Sequence, residues 1–194
     1  IRHSVTKMSS LHFTSCEEYR HRVIQMGEQP SRVFDVGSLG VENIKAVPLM
    51  TKDELEASLD FKIDAQTILV TYHPVTLGGD PAKDIREFLN ALDQFKDLKV
   101  IFTMPNSDTG RDAIALAVEN YVEKHSNRAK AYTSLGLKRY LSTLQFVKAA
   151  VGNSSSGIIE VPSFGIPTLN IGDRQKGRLA SKSVVNCGTS KDEV

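Results

Sequence analysis

Three features of the sequence predict an α/β protein in which a parallel, Rossmann-like sheet is covered by helices on both faces. Short, continuously apolar runs such as Ile68-Leu69-Val70 and Val100-Ile101-Phe102 suit strands buried on both sides. Helical patterns alternate with those runs. Residues 151–178, VGNSSSGIIEVPSFGIPTLNIGDRQKGR, then join the end of a buried strand, a Ser/Gly turn and a helix start, the order in which such a sheet builds an anion pocket.

The first elements are short. Residues 1–9 read as the last turns of a helix and 11–13 as a strand. Thr14 and Ser15 ahead of Glu17 and Glu18 form a capping-box signature. Tyr19, Val23 and Met26 share a helical face that Gly27 should stop, and 32–36 supplies another strand. Residues 37–47, with two glycines and no clean period, look like a hinge. Thr51 and Glu54 stand in capping-box spacing at the head of a short helix over 51–60.

From about Ala65 the alternation is regular. It predicts strands at 67–72, 99–104, 129–133, 147–151 and 168–171, with helices at 82–95, 110–124, 138–146 and 158–164. Ile85, Phe88, Leu89, Leu92 and Phe95 make one helical stripe expected to pack on the sheet.

Ligands bind such sheets beyond the carboxyl ends of the strands. His73 follows the first of these strands, Asn106 and Asp108 the second, Ser134-Leu135-Gly136 the third, and the serines the fourth. Arg174 arrives on the same edge after 168–171. This convergence is the case for a nucleotide site. Ser154, Ser155 and Ser156 offer hydroxyl donors where a helix start presents free N–H groups to phosphate, although serines before an apolar run can also simply cap the helix. Glu160, expected in the first helical turn, would repel a diphosphate unless it met a group of its own, and a ribose diol is the natural candidate. His73 taken alone could equally be a turn histidine bonded to backbone.

Composition bounds the rest. With 194 residues, 40% hydrophobic, 24% charged and a net charge of +1, the chain is an ordinary globular protein without the basic stripe of a nucleic-acid binder. No apolar run approaches the roughly 18 residues that span a bilayer. Cys16 and Cys187 lie far apart in no CxxC spacing, which suits a reducing cytoplasm and suggests neither a disulfide framework nor a zinc site. The chain starts inside a helical pattern without an initiator Met, so it is expected to be part of a longer protein.

The segment GNSSSGIIEVPSFGIPTLNIGDRQKGR, together with IRHSVTK, TYHPVT and MPNSD, resembles the UDP-N-acetylglucosamine 2-epimerase family. The paired GNSS and RQxGR elements resemble its hydrolysing branch, which releases UDP and N-acetylmannosamine for sialic acid synthesis. The resemblance implies one half of a two-domain GT-B architecture: residues 1–37 as the tail of the first domain, 38–64 as linker, and 65–194 as an incomplete UDP-binding domain. It implies UDP contacts at His73, Asn106, Leu135, Ser154, Ser155, Glu160 and Arg174, with His73 also catalytic through proton transfer or charge stabilisation. Leu135 would offer backbone groups to the base. Ser156 stands where relatives have Cys or Gly. Catalytic carboxylates would precede Ile1, leaving this stretch inactive by itself. The partner implied is a UDP-sugar, with no metal or redox cofactor, in a cytoplasmic homo-oligomer. A non-hydrolysing epimerase, a GT-B glycosyltransferase and a non-catalytic UDP-sugar sensor are the rival readings.

Overall fold

The computed structural model describes residues 1–75 and 79–194. The chain divides into two units, Ile1–Val47 and Pro48–Val194.

In the first unit, α1 (Arg2–Met8), β1 (His12–Thr14), α2 (Glu17–Gln25), a 3₁₀ turn, β2 (Val33–Asp35) and α3 (Leu39–Ala46) follow in order, and β1 pairs in parallel with β2. Gly27, at φ +93, lies just past the end of α2, as its expected stop role requires. The capping box expected at Thr14 and Ser15 does not form. Cys16 occupies the N-cap without a side-chain bond, because Thr14 ends the strand and its hydroxyl donates to the Phe34 carbonyl of β2 at 3.2 Å. Glu17 and Glu18 pair instead with Arg20 and Arg22 along the helix.

The second unit begins with α4 (Lys52–Leu59), whose capping box does form: the Glu54 N–H donates to Thr51 Oγ1 and the Thr51 N–H to Glu54 Oε2. The stretch expected as linker thus carries α3 in one unit and α4 in the other. Then come β3 (Thr67–Thr71), α5 (Pro81–Leu92), β4 (Lys99–Thr103), α6 (Arg111–Lys124), β5 (Ala129–Tyr132), α7 (Gly136–Leu144), β6 (Ala149–Gly152), α8 (Ser156–Ile159), β7 (Thr168–Ile171) and β8 (Val184–Cys187). All the strands are parallel, in the order β5-β4-β3-β6-β7-β8, and helices cover both faces of the sheet.

Alternation along the strands decides which face each residue serves. Ile68, Val70, Val100 and Phe102 join Ile85, Phe88 and Leu92 of α5 and Ile114, Val118 and Tyr121 of α6 in one cluster, where Tyr72 stacks on Phe88 at 5.9 Å. Leu69 and Ile101 point to the opposite face and are equally buried, as are Leu55, Leu59, Leu141 and Leu144 of α4 and α7. The Tyr132 hydroxyl donates to the Leu59 carbonyl at 2.7 Å and ties α4 to β5. Phe95 departs from the expected stripe. Helix α5 stops at Leu92, the following turn breaks the 3.6-residue period, and Phe95 is 54% exposed.

Candidate nucleotide site

The strand order places the reversal of the sheet between β3 and β6. From β3 the chain winds outward through β4 and β5, then returns to β6 on the other side and winds away through β7 and β8. Helices diverge at such a point and leave a crevice at the carboxyl ends. Gly152 makes this join possible. At φ +129, a Cβ there would lie 2.1 Å from the Thr71 carbonyl oxygen, so a side chain would push β6 off β3.

One residue that sequence reasoning missed ties the crevice together. Asn153, 1% exposed, accepts the His73 N–H on Oδ1 at 2.7 Å and donates from Nδ2 to the His73 carbonyl at 2.8 Å. Its own carbonyl accepts from Gln175 Nε2 at 2.7 Å and from Arg174 Nη1 at 3.1 Å. The ends of β3, β6 and β7 are thereby locked through a single side chain and its carbonyl. Gln175 was missed as well; it is buried, and its Oε1 has no hydrogen-bond partner. The only hint for Asn153 was an amide standing among hydroxyls in the turn.

His73 is buried, and its Nδ1 accepts the Asn106 N–H at 3.3 Å, which assigns the proton to Nε2. Burial first, then the Arg174 charge, push its pKa below the usual 6.5, with Asp108 opposing. The ring is therefore a neutral N–H donor at pH 7. Burial also lowers the pKa of Arg174, and the charge of Arg178 adds to the shift while Asp108 opposes it.

The serine turn differs from its expected form. The helix expected over 158–164 is one α-turn followed by a 3₁₀ turn, Val161–Phe164, so too few peptide dipoles align to make a macrodipole. The turn instead offers the N–H groups of Ser154 and Ser155, which have no hydrogen bond among the described residues. Ser155 is at the N-cap but makes no side-chain capping bond; Ser154 Oγ accepts the Ser156 N–H at 3.3 Å. Glu160 is not in a first helical turn but at the junction of the two turns, and its Oε2 is buried without a partner. Gly157 lets α8 lie on β7, since a Cβ would meet Thr168 Cγ2 at 2.8 Å.

His73, Asn106, Leu135 and Ser154 line one cavity of about 460 Å³, together with Thr71, Thr103 and Tyr140. Arg174 joins this group through Asn153, while Ser155 and Glu160 are not among the residues lining the cavity. The Leu135 carbonyl is already taken by Arg139 Nε at 2.9 Å, so its N–H is the backbone group left without a partner among the described residues. A larger cavity, about 1110 Å³, is lined by Gln175, Arg178 and the end of β8 and contains none of the expected contacts. Of the expected contacts, His73, Asn106, Leu135 and Ser154 converge on the smaller one.

A Rossmann-like sheet with a polar lock at its reversal point defines a doubly wound α/β class of protein, whose ligand crevice lies beyond the strand carboxyl ends. The family model described as UDP-N-acetylglucosamine 2-epimerase matches residues 1–194, and the chain belongs to that family. The GDP/UDP-N,N'-diacetylbacillosamine 2-epimerase (hydrolyzing) of Campylobacter jejuni is 45% identical over 96% of this chain and 49% of the relative. The polysialic acid biosynthesis protein P7 of Escherichia coli is 43% identical over 100% of this chain and 49% of the relative. The chain therefore spans about half the length of these curated relatives. The S. aureus MnaA-UDP co-structure superposes with a TM-score of 0.72 at 18% identity, over 97% of this chain and 50% of that one. The Methanocaldococcus jannaschii UDP-GlcNAc 2-epimerase in complex with UDP-GlcNAc and UDP gives 0.68 at 16%, over 96% and 52%. At such identities the likeness shows the fold. No helix among the described residues is long and apolar enough to cross a membrane.

Proposed function

We propose that this chain is the UDP-binding part of a hydrolysing UDP-N-acetylglucosamine 2-epimerase. The observation that carries the reading is the lock of Asn153 on His73, Arg174 and Gln175, which fixes a neutral N–H donor and a guanidinium on one rim before any ligand arrives. Donors fixed in advance stabilise charge that grows during a reaction without having to reorganise. The diphosphate would take the Ser154 and Ser155 N–H groups, Arg174 and the His73 Nε2–H. Glu160 would take the ribose.

In the reaction, a base removes the proton on carbon 2 while the bond from carbon 1 to the diphosphate oxygen breaks. UDP leaves with the electron pair, and a carbon 1–carbon 2 double bond, a glycal, remains. Water then delivers hydroxyl to carbon 1 and a proton reaches carbon 2 on the opposite face, giving N-acetylmannosamine. The side chains of this chain hold and neutralise the leaving group. His73 acts as a hydrogen-bond donor to the departing oxygens rather than as a proton shuttle, because its second nitrogen is occupied and its pKa is lowered.

The test is to incubate the full-length protein with UDP-N-acetylglucosamine and no acceptor. Free UDP and N-acetylmannosamine in equal amounts are expected; UDP-N-acetylmannosamine or a requirement for an acceptor would overturn the reading. His73→Ala should lower kcat about a hundredfold, as loss of a donor worth about 3 kcal/mol does, with a smaller change in KM. The diacetamido-sugar names of two relatives, at 45% and 31% identity, favour a second substrate reading, UDP-N,N'-diacetylbacillosamine. Comparing kcat/KM for the two sugars decides between them.

A further inference from the structure

One hydrogen bond between hydroxyls links α7 to α8: Tyr140 Oη donates to Ser156 Oγ at 2.7 Å. Tyr140 forms part of the wall of the 460 Å³ cavity, beside Leu135 and Ser154. Ser156 is the first residue of α8, and the Glu160 N–H donates to its carbonyl at 3.0 Å, so side chains 156 and 160 lie one above the other. Burial pushes the Tyr140 pKa up to about 12; the bond to Ser156 lowers it and the Glu160 carboxylate raises it. The phenol stays protonated across the physiological range and gives its one proton to the serine. The carboxylate beside it keeps Oε2 buried without any donor.

A buried acceptor left unmatched is costly, and a ligand that brings the missing donor relieves that cost. Phosphate oxygens at neutral pH carry no proton to give. A ribose carries two adjacent hydroxyls. Had Tyr140 turned its proton to Glu160 instead, that acceptor would already be filled.

We propose that Tyr140 is a positioning residue for the ribose: through Ser156 it fixes α8 so that Glu160 keeps an unmatched acceptor for the sugar diol of the nucleotide. The proposal rests on the reading of this rim as a UDP site and adds the residue that determines recognition of the ribose. It also gives the serine at 156 a function of its own, since a cysteine or glycine there could not accept the phenol proton in the same way.

The test compares UDP with 2'-deoxy-UDP on the full-length protein by titration calorimetry. The parent should bind UDP about tenfold more tightly than its deoxy analogue, the worth of a hydrogen bond to a charged group. Tyr140→Phe should weaken UDP five- to tenfold while leaving the deoxy analogue within twofold, so that the ratio falls towards one. Ser156→Ala should reproduce that loss, and it carries the test if the phenylalanine variant proves unstable in a thermal melt. In a Glu160→Gln background, Tyr140→Phe should change nothing further. Equal weakening of both ligands would mean that Tyr140 only supports the fold, and an unchanged ratio would mean that it does not act on the ribose; either result overturns the proposal while leaving a UDP site in place. Failure of the parent to bind UDP at all would remove the site reading and this proposal together.

Discussion

The two units of the chain bury their residues on very different scales. Among the described residues, Ile1–Val47 buries only His12 and Val33, and none of α1, α2 or α3 has a buried side chain. Its two aromatic strand residues, Phe13 and Phe34, stack at 5.6 Å yet are 66% and 42% exposed. Two strands of three residues cannot cover a face. In Pro48–Val194, four of the five residues of β3 are buried, and both faces of the sheet have helices over them. Within this chain, the second unit has a six-stranded sheet wide enough to carry helices and the first has a two-stranded one. The second unit therefore holds the rigid platform on which the candidate site is built.

The largest effect that would break this contrast is a matched pair of truncations. Phe88→Ala empties a fully buried position and should cost about 3 to 5 kcal/mol. Phe34→Ala should cost less than about 1 kcal/mol, as exposed substitutions do. Urea melts of the chain measure both. Similar costs would show that the first unit has a core that its exposure conceals.

The next effect sharpens the comparison at the rim. Asn153→Ala strips the partners from the His73 N–H and carbonyl, two buried groups worth about 1 to 3 kcal/mol each when left unmatched. Stability should fall by at least the cost of one such group, about 1 to 3 kcal/mol, and UDP affinity with it. Asn153→Asp keeps the acceptor and loses the donor, so it should fall between the two. A stable alanine variant with parental UDP affinity would remove Asn153 from its role as the lock.

Much of the second unit was legible because its strands are short apolar runs separated by amphipathic helices. Strand β8 was not. It is an edge strand with Val185 and Asn186 exposed, and VVNC lacks the apolar run that marked the others. The helix expected after the serine turn was too long because Pro162 lacks an N–H and its ring opposes the carbonyl four residues back, which turns the chain to a 3₁₀ path. The convergence of His73, Asn106, Leu135 and Ser154 was legible from the strand ends. Asn153 was not, since its carboxamide matches a backbone 80 residues away and nothing local announces that partner. The capping box at Thr14 failed for the same reason: spacing within one segment does not reveal the strand with which Thr14 pairs.

The smallest effect separates the units by pH. His73, in the second unit, has its pKa pushed below 6.5 by burial and then by Arg174. The unfolded chain then binds the proton more readily than the native one. Its contribution to stability is complete above about pH 6.5 and is lost as pH falls through the folded value. Glu28, in the first unit, is held below 4.5 chiefly by its hydrogen bond with Lys7, with the bond to His12 adding and desolvation opposing. Its contribution is complete above 4.5 and lost only below that. The carboxylates of the second unit with lowered pKa, Glu54, Glu56 and Asp64, also start from ordinary values of 4.5 or less and stay silent between pH 6.5 and 5. Hydrogen exchange, corrected for the intrinsic pH dependence, reads the two units separately. Protection of the Asn153 N–H, bonded to the Thr71 carbonyl at 3.2 Å, should begin to fall below pH 6.5. Protection of the Val36 N–H, bonded to the Thr14 carbonyl at 2.9 Å, should hold until below about 4.5. His73→Gln should flatten the first curve and leave the second alone. If both amides lose protection together, or if the first curve survives the substitution, the buried histidine does not set the acid limit of the rim.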